Sequence, residues 1–531
     1  MIILIKGYLS LILHSHLPFV RHPDINEALE ERWLFEAMSE CYIPLIESVD
    51  RLLKGKVKFK ITMSITPTLM AMLEDDYLND RYVEYLNKTI ELTEKELVRT
   101  FDIDTDLNNL SKFYYNRYQD LYSTYKEYNN NLMNAFRKFD KLGCLEIIAC
   151  AATHGILPLL MVNPETVKAQ IATGVKFYED ALGHPPKGIW LPECAYSYEL
   201  DDILKENGIE YFIIEGNALQ YASNKPEAGT YLPIATPNGV CVFGRDMESG
   251  HQVWSSTLGY PGDPNYREFY RDIGHDLPKE YIDPYINPDG IRIDTGIKYC
   301  RITGNTDNKE YYNRDKAIEV AKNHAVHFLN SRNAQVSVAS ARMNKPPIIT
   351  CPYDTELFGH WWFEGPDFLF EFIRKVAEEG NYFQLISPSD YLKKFNEVQI
   401  NRPNPSSWGE NSDFSVWLNS SNDWIYRKLH KCAEKMIYLA NIYDKPTHIE
   451  ERALNQAARE LMLAEASDWP FIIKTNTTVE YATKRVNTHV ERFDILYEEI
   501  TNKRIDEKWL KEIEKLDNIF PKIDYRIYKS K

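Results

Sequence analysis

Short β-branched or apolar runs recur along this chain between stretches of helical periodicity, at 8–13, 58–65, 145–149, 188–191, 211–215, 240–245, 347–351 and 383–387. Strands that alternate with helices pair in parallel, so the pattern confines the chain to an α/β architecture, open or closed into a barrel. Several of the runs lead into polar residues capable of chemistry: His14 and His16, Thr66, His154, Glu193, Arg245 and Asp354. In a barrel the C-terminal strand ends and the loops after them form the active face, where residues far apart in sequence converge.

The intervals between runs divide the chain. Residues 74–139, rich in Tyr, Asn, Lys and Glu with helical periodicity, read as an inserted helical subdomain. Residues 250–301 form a long connection rich in Tyr, Pro, Asp and Gly, and long loops inside compact domains are usually functional. NRPNPSSW at 401–408 reads as a linker, after which 423–443, 449–465, 479–500 and 508–519 carry helical patterns. The expected organisation is a catalytic barrel over 1–73 and 140–400, the inserted subdomain over 74–139 and a C-terminal helical domain over 401–531.

A net charge of −16 without a long basic run argues against a nucleic-acid partner. The eight cysteines include no C-x-x-C pair, so neither a zinc knuckle nor a disulfide framework is suggested and a reducing cytoplasm fits. Residues 1–13 are apolar, but Lys6 interrupts them and no cleavage site follows, so they read as a buried first strand. No later segment has the length of a membrane span. Aromatic residues make up 13% of the chain, and their flat amphipathic rings suit sugar faces as well as cores.

Glycosidic cleavage needs two carboxyl groups in different protonation states, one attacking the anomeric carbon and one protonating the leaving oxygen. Glu193 stands directly after a short apolar run, between Trp190 and Tyr196. Asp354 lies in TCPYDTELFGHWWFEGP at 350–366, crowded with aromatic and ionisable neighbours. Apolar surroundings raise the pKa of an acid, while hydrogen bonds keep a nucleophile ionised, which assigns the acid role to Asp354 and the nucleophile role to Glu193. His14 and His16 share a face if the strand continues, and with Asp354 they would ligate a metal or, as neutral imidazoles, bind sugar hydroxyls. His154, at another strand end, is either a ligand of the same kind or a core histidine.

These residues lie in five motifs in order: HSHLP at 14–18, GCLE at 143–146, WLPEC at 190–194, YDTELFG at 353–359 and ASDW at 466–469. With them the chain resembles glycoside hydrolase family 57 over nearly its full length, and QVWS at 252–255, GYPGD at 259–263, YREFYRD at 266–272 and WLNS at 417–420 resemble its 1,4-α-glucan branching enzymes. The resemblance implies an incomplete (β/α)7 barrel with an inserted helical subdomain and a C-terminal α-helical domain. It implies that Glu193 is the nucleophile of a retaining transfer and Asp354 the acid/base, with α-glucan as donor and acceptor and no metal or other cofactor. It places His14, His16, His154 and Asp468 around the first glucose subsites, with Arg245 among the binding residues. Trp33, Trp254, Trp361, Trp408, Trp417 and Trp469 would be sugar platforms, at least two of them being ordinary core residues instead.

Two stretches depart from the family pattern. ENSDF at 410–414 replaces a glycine-rich turn before Trp417, and SNKPEAGTY at 223–231 replaces a tyrosine-bearing lid, a role left to Tyr231. Both bear on how well water is excluded. Alternatives are an amylase or 4-α-glucanotransferase of the same family, a metal-dependent polysaccharide deacetylase using His14, His16 and Asp354, and a non-catalytic glycan-binding protein.

Overall fold

The structure is a computed structural model that describes residues 5–222, 224–255, 259–378 and 380–530. Its strands are β1 (Gly7–Ser15), β2 (Ile61–Ile65), β3 (Leu145–Cys150), β4 (Gly188–Trp190), β5 (Tyr211–Ile214), β6 (Ile234–Ala235), β7 (Cys241–Gly244), β8 (Ile348–Asp354), β9 (Phe383–Leu385) and β10 (Gln399–Ile400). The apolar runs end up buried on both faces, as parallel strands covered by helices must be. Residues 1–4 of the expected first strand lie outside the described residues, and β1 begins at Gly7. The 58–65 run enters the sheet only at Ile61, because Lys60 turns out to donate to Gly143 O. The two-residue strands β6 and β10 are too short to leave a periodic signal.

The sheet order is β10-β6-β7-β5-β4-β3-β2-β1-β8, with β9 beside β1. All pairings are parallel except β6 with β7. Strands β1, β2, β3, β4, β5, β7 and β8 make a ring that a single bridge, Arg245 to Thr350, closes between β7 and β8. This is the incomplete (β/α)7 barrel. The register sets His14 beside Ser64 on β2 and beside Asp354 on β8, so three strands bring their C-terminal ends to one rim.

Between β2 and β3 the helices Asp76–Thr100 and Thr105–Glu127 form a hairpin, capped by Asp75 on Leu78 N–H and Asp104 on Leu107 N–H. Leu78, Tyr82, Tyr85, Leu86, Thr89 and Leu92 recur at the helical spacing and are buried. The long connection after β7 leans on this hairpin: Tyr114 Oη donates to Lys298 O at 2.7 Å and Tyr299 Oη to Glu96 at 2.9 Å.

The C-terminal helices Asp423–Ile442, His448–Ala464, Asp468–Thr475, Val479–Thr501 and Glu507–Leu516 pack on one another. Small Ala453, Ala457 and Ala458 on His448–Ala464 let its neighbours approach closely. This assembly is fastened to the barrel rim: Gly155 bridges Ala466, Ser467 N–H donates to His154 O at 3.1 Å, and Arg485 donates to Phe19 O at 3.1 Å. No helix among the described residues is long and apolar enough to cross a membrane.

Candidate active site

Glu193 projects from a turn after β4 in which it and Cys194 adopt left-handed backbone, φ 59° and 50°. Non-glycine residues in that region store about 1–3 kcal/mol each and persist only where neighbours fix them. Here Cys194 N–H donates to Leu191 O at 2.8 Å, and Trp408 N–H donates to Glu193 O at 3.0 Å. The same tryptophan's indole Nε1 donates to Glu193 Oε2 at 2.7 Å, and Ser467 Oγ donates to Oε1 at 3.1 Å. Burial raises the Glu193 pKa above the usual carboxylate range; the Trp408 bond opposes this, Asp468 adds to it, and His16 and Ser467 oppose it.

Asp354 ends β8, and its carboxyl group receives no hydrogen bond from the described residues. Burial lifts its pKa well above the usual range, with Glu356 and then Glu193 adding to the shift and Arg245 opposing it. Burial thus acts upward on both carboxyl groups, and the hydrogen-bond donors that oppose it stand on Glu193.

The histidines gather between the two carboxyl groups and the C-terminal helices. His14 stacks on Trp190, with ring centroids 4.4 Å apart, and its Nε2 lies 2.9 Å from Nε2 of His154. His16 stacks on His154 at 3.8 Å, bonds Asp468 at 3.0 and 3.1 Å through Nε2, and meets Thr66 Oγ1 at 3.1 Å through Nδ1. Burial, then neighbouring imidazoles, push His14 and His154 well below the usual histidine range. Burial acts the same way on His16, but the carboxyl groups of Asp468, Glu193 and Glu356 together outweigh it and raise that pKa, with the Asp468 contact at 3.0 Å.

Arg245 donates to Glu215 at 3.2 Å and lies against the rings of Trp254 and Trp408, which meet edge to face 6.0 Å apart. Trp33 is partly exposed and meets Tyr481 edge-on at 5.6 Å. Trp361, 56% exposed, stacks on Phe269 at 4.6 Å and keeps an open face.

Two placements need correction, and one alternative can be set against the geometry. Trp417 and Trp469 are each only 1% exposed: Trp417 packs in a cluster with Ile156, Ala195 and Trp408, while Trp469 Nε1 donates to Leu463 O. Neither has a free face for a sugar. Tyr231 does not join the site, since its hydroxyl accepts from Gln335 and its carbonyl from Ile348 N–H, at the other end of β8 from Asp354. Ser223 of that loop lies outside the described residues. The alternative is a metal centre on His14, His16 and Asp354. The Nε2 atoms of both histidines have protein partners, and among the described residues the cluster with metal-like spacing is Glu460, His489 and Asp517, in the C-terminal helices, where Asp517 pairs with Arg492. The 410–414 departure is accommodated by Ser412, which takes left-handed backbone at φ 56° while its N–H donates to Gly409 O.

Sequence reasoning passed over Ser467, Glu356 and Tyr42. Ser467 and Glu356 lie inside the recognised motifs, between residues that drew attention. Tyr42 ends a π-helical turn, Met38–Tyr42, and donates to Glu356 Oε1 at 2.5 Å. Gly359 admits that turn: at φ 128°, a Cβ there would meet Glu40 O at 1.9 Å.

A family model described as glycosyl hydrolase family 57 matches residues 10–403, and one for the C-terminal region of 1,4-alpha-glucan branching enzyme matches 428–528. A 1,4-alpha-glucan branching enzyme of Thermococcus kodakarensis is 34% identical over 97% of this chain and 77% of its own length. Among solved structures, the alpha-amylase AmyC from Thermotoga maritima has a TM-score of 0.93 and 44% identity over 99% of both chains. The GH57-type branching enzyme from Pyrococcus horikoshii has a TM-score of 0.89 and 34% identity, covering 99% of this chain and 97% of its own.

Proposed function

The chain belongs to glycosyl hydrolase family 57, and from that premise we propose that it is a 1,4-α-glucan branching enzyme working by retention, with Glu193 and Asp354 as its catalytic pair. The observation that carries the chemistry is the opposite treatment of the two carboxyl groups, one held by two donors and the other without a donor among the described residues, its pKa pushed upward by burial and then by Glu356 and Glu193. In the first step Glu193 attacks the anomeric carbon while Asp354 passes its proton to the departing 4-oxygen, leaving a glycosyl ester and a carboxylate. In the second, Asp354 takes the proton of an acceptor's 6-hydroxyl as that oxygen displaces Glu193, which leaves an α-1,6 branch. His14, His16, His154, Arg245 and Asp468 are read as contacts to the sugar at this site, and Trp254 and Trp408 as its aromatic walls.

Branching is supported by the match of residues 428–528 to the branching-enzyme C-terminal model and by relatives that bear that name. A second reading, hydrolysis of the same α-1,4 bonds, is favoured by the 44% identity to a protein described as an α-amylase. The donor half-reaction is common to both, and only the acceptor differs. Water is always abundant, so branching needs an acceptor chain held in place. Incubation with amylose, followed by debranching and chain-length analysis, decides between them. New α-1,6 linkages are expected; reducing ends without any would make the protein an amylase.

A further inference from the structure

A chain of hydrogen bonds runs from the first barrel strand to the carboxylate of Glu193. His14 Nε2 lies 2.9 Å from His154 Nε2, His154 Nδ1 lies 2.8 Å from Ser467 Oγ, and Ser467 Oγ lies 3.1 Å from Glu193 Oε1. His14, His154 and Ser467 are each at most 2% exposed, so no solvent competes for these bonds. They come from three remote parts of the chain, and none is forced on the others by proximity in sequence.

We propose that Ser467 is a positioning residue for the nucleophile, and that His14 and His154 fix the direction in which its hydroxyl points. The inference rests on the reading of Glu193 as nucleophile. An ionised carboxylate only accepts, so the single proton of Ser467 goes to Glu193. Its oxygen must then accept from His154 Nδ1–H. A neutral imidazole carries one N–H, which leaves His154 Nε2 as an acceptor and obliges His14 Nε2 to donate. His14 Nδ1 is then a bare lone pair, and it is indeed a buried atom with no hydrogen-bond partner. Running the chain the other way would bury an N–H at that position and turn the lone pairs of Ser467 toward a carboxylate. Burial and the imidazole of His16 keep both His14 and His154 neutral, which the chain requires. The donor at Oε1 also favours the second half-reaction, in which Glu193 departs as a carboxylate.

The other groups facing Glu193 are the Trp408 indole from the linker, His16 after β1, Asp468 at the start of its helix, Asp354 on β8, Cys150 on β3, adjacent Cys194 and Tyr426 on Asp423–Ile442. All remain when the serine hydroxyl is removed, so a change can be assigned to the lost donor. The test compares Ser467→Ala with Ser467→Thr, which keeps a hydroxyl. Ser467→Ala is expected to lower kcat by about tenfold to a hundredfold and to move the acidic limb of the kcat/KM profile to higher pH, because the carboxylate has lost a donor. The glycosyl-enzyme should also accumulate in mass spectra of acid-quenched samples. Ser467→Thr should recover most of the rate and the original limb at the same melting temperature as Ser467→Ala. An acidic limb unmoved in Ser467→Ala, or equal losses in the two variants, would overturn the proposal. Glu193→Ala given α-maltosyl fluoride and azide separates this from the parent reading. If β-maltosyl azide forms, Glu193 is the nucleophile whatever Ser467 does; if none forms, both readings fall.

Discussion

Glu193 and Asp354 stand on the same rim of one barrel, and the chain around them treats them in opposite ways. Glu193 is gripped: its backbone is left-handed, and Trp408 and Ser467 each donate to one of its oxygens. Asp354 simply ends a strand; its carboxyl group takes no hydrogen bond from the described residues and has two further carboxylates, Glu356 and Glu193, pressing its pKa upward. Both groups are partly exposed at the rim, so exposure alone does not distinguish them. Donors do, because they lower the cost of charge on one group and not on the other.

The largest effects come from abolishing the contrast outright. Glu193→Gln and Asp354→Asn keep shape and remove one protonation role each, and both should reduce turnover by about 10³ to 10⁵ with the fold intact. Wild-type-like rates in either variant, purified free of host enzymes, would break the assignment. Removing a single donor should cost less: Trp408→Phe keeps the ring, loses the 2.7 Å bond to Glu193, and is expected to lower kcat by about tenfold to a hundredfold. Equal rates for this variant and the wild type would mean that the grip on Glu193 does not matter to chemistry.

The bare side of the comparison is sharpened by Glu356→Gln, which removes a like charge near Asp354 while still accepting from Tyr42. Without that charge the Asp354 pKa falls, its proton is lost at lower pH, and the alkaline limb of kcat moves downward by about one pH unit. A limb that stays put would show that burial alone sets the acid. The smallest effect expected is at Trp361, whose ring is 56% exposed and stacks on Phe269. Trp361→Ala should raise KM for long glucans by roughly twofold to fivefold with kcat kept, and an unchanged KM would make that ring mere surface.

Much of the barrel is legible in the sequence because a parallel strand buried on both faces leaves a run of apolar residues, and the limits of β1, β3 and β4 follow those runs closely. The two carboxyl groups are legible for a related reason, since each follows such a run. The tryptophans are not. Trp408 and Trp417 are the same residue type in neighbouring polar surroundings, yet one lies against Glu193 and the other is buried with Ile156 and Ala195. Which face of a ring is covered depends on segments hundreds of residues away, and no local pattern carries that. Ser467 hides for the same reason: a lone serine ahead of a helix reads as a cap, whereas its hydroxyl serves Glu193.

The bridge between Gly155 and Ala466 fixes when, as well as where, the site is built. Domains fold largely in the order in which they leave the ribosome. Every strand of the barrel, with both carboxyl groups, has been synthesised long before residue 466 emerges. Until then Glu193 has no Ser467, His16 has no Asp468 and His154 lacks its backbone partner. A nascent chain that has reached only the linker therefore lacks these contacts around Glu193, His16 and His154. The last quarter of the chain thus supplies the final contacts of the site rather than a separate layer around it.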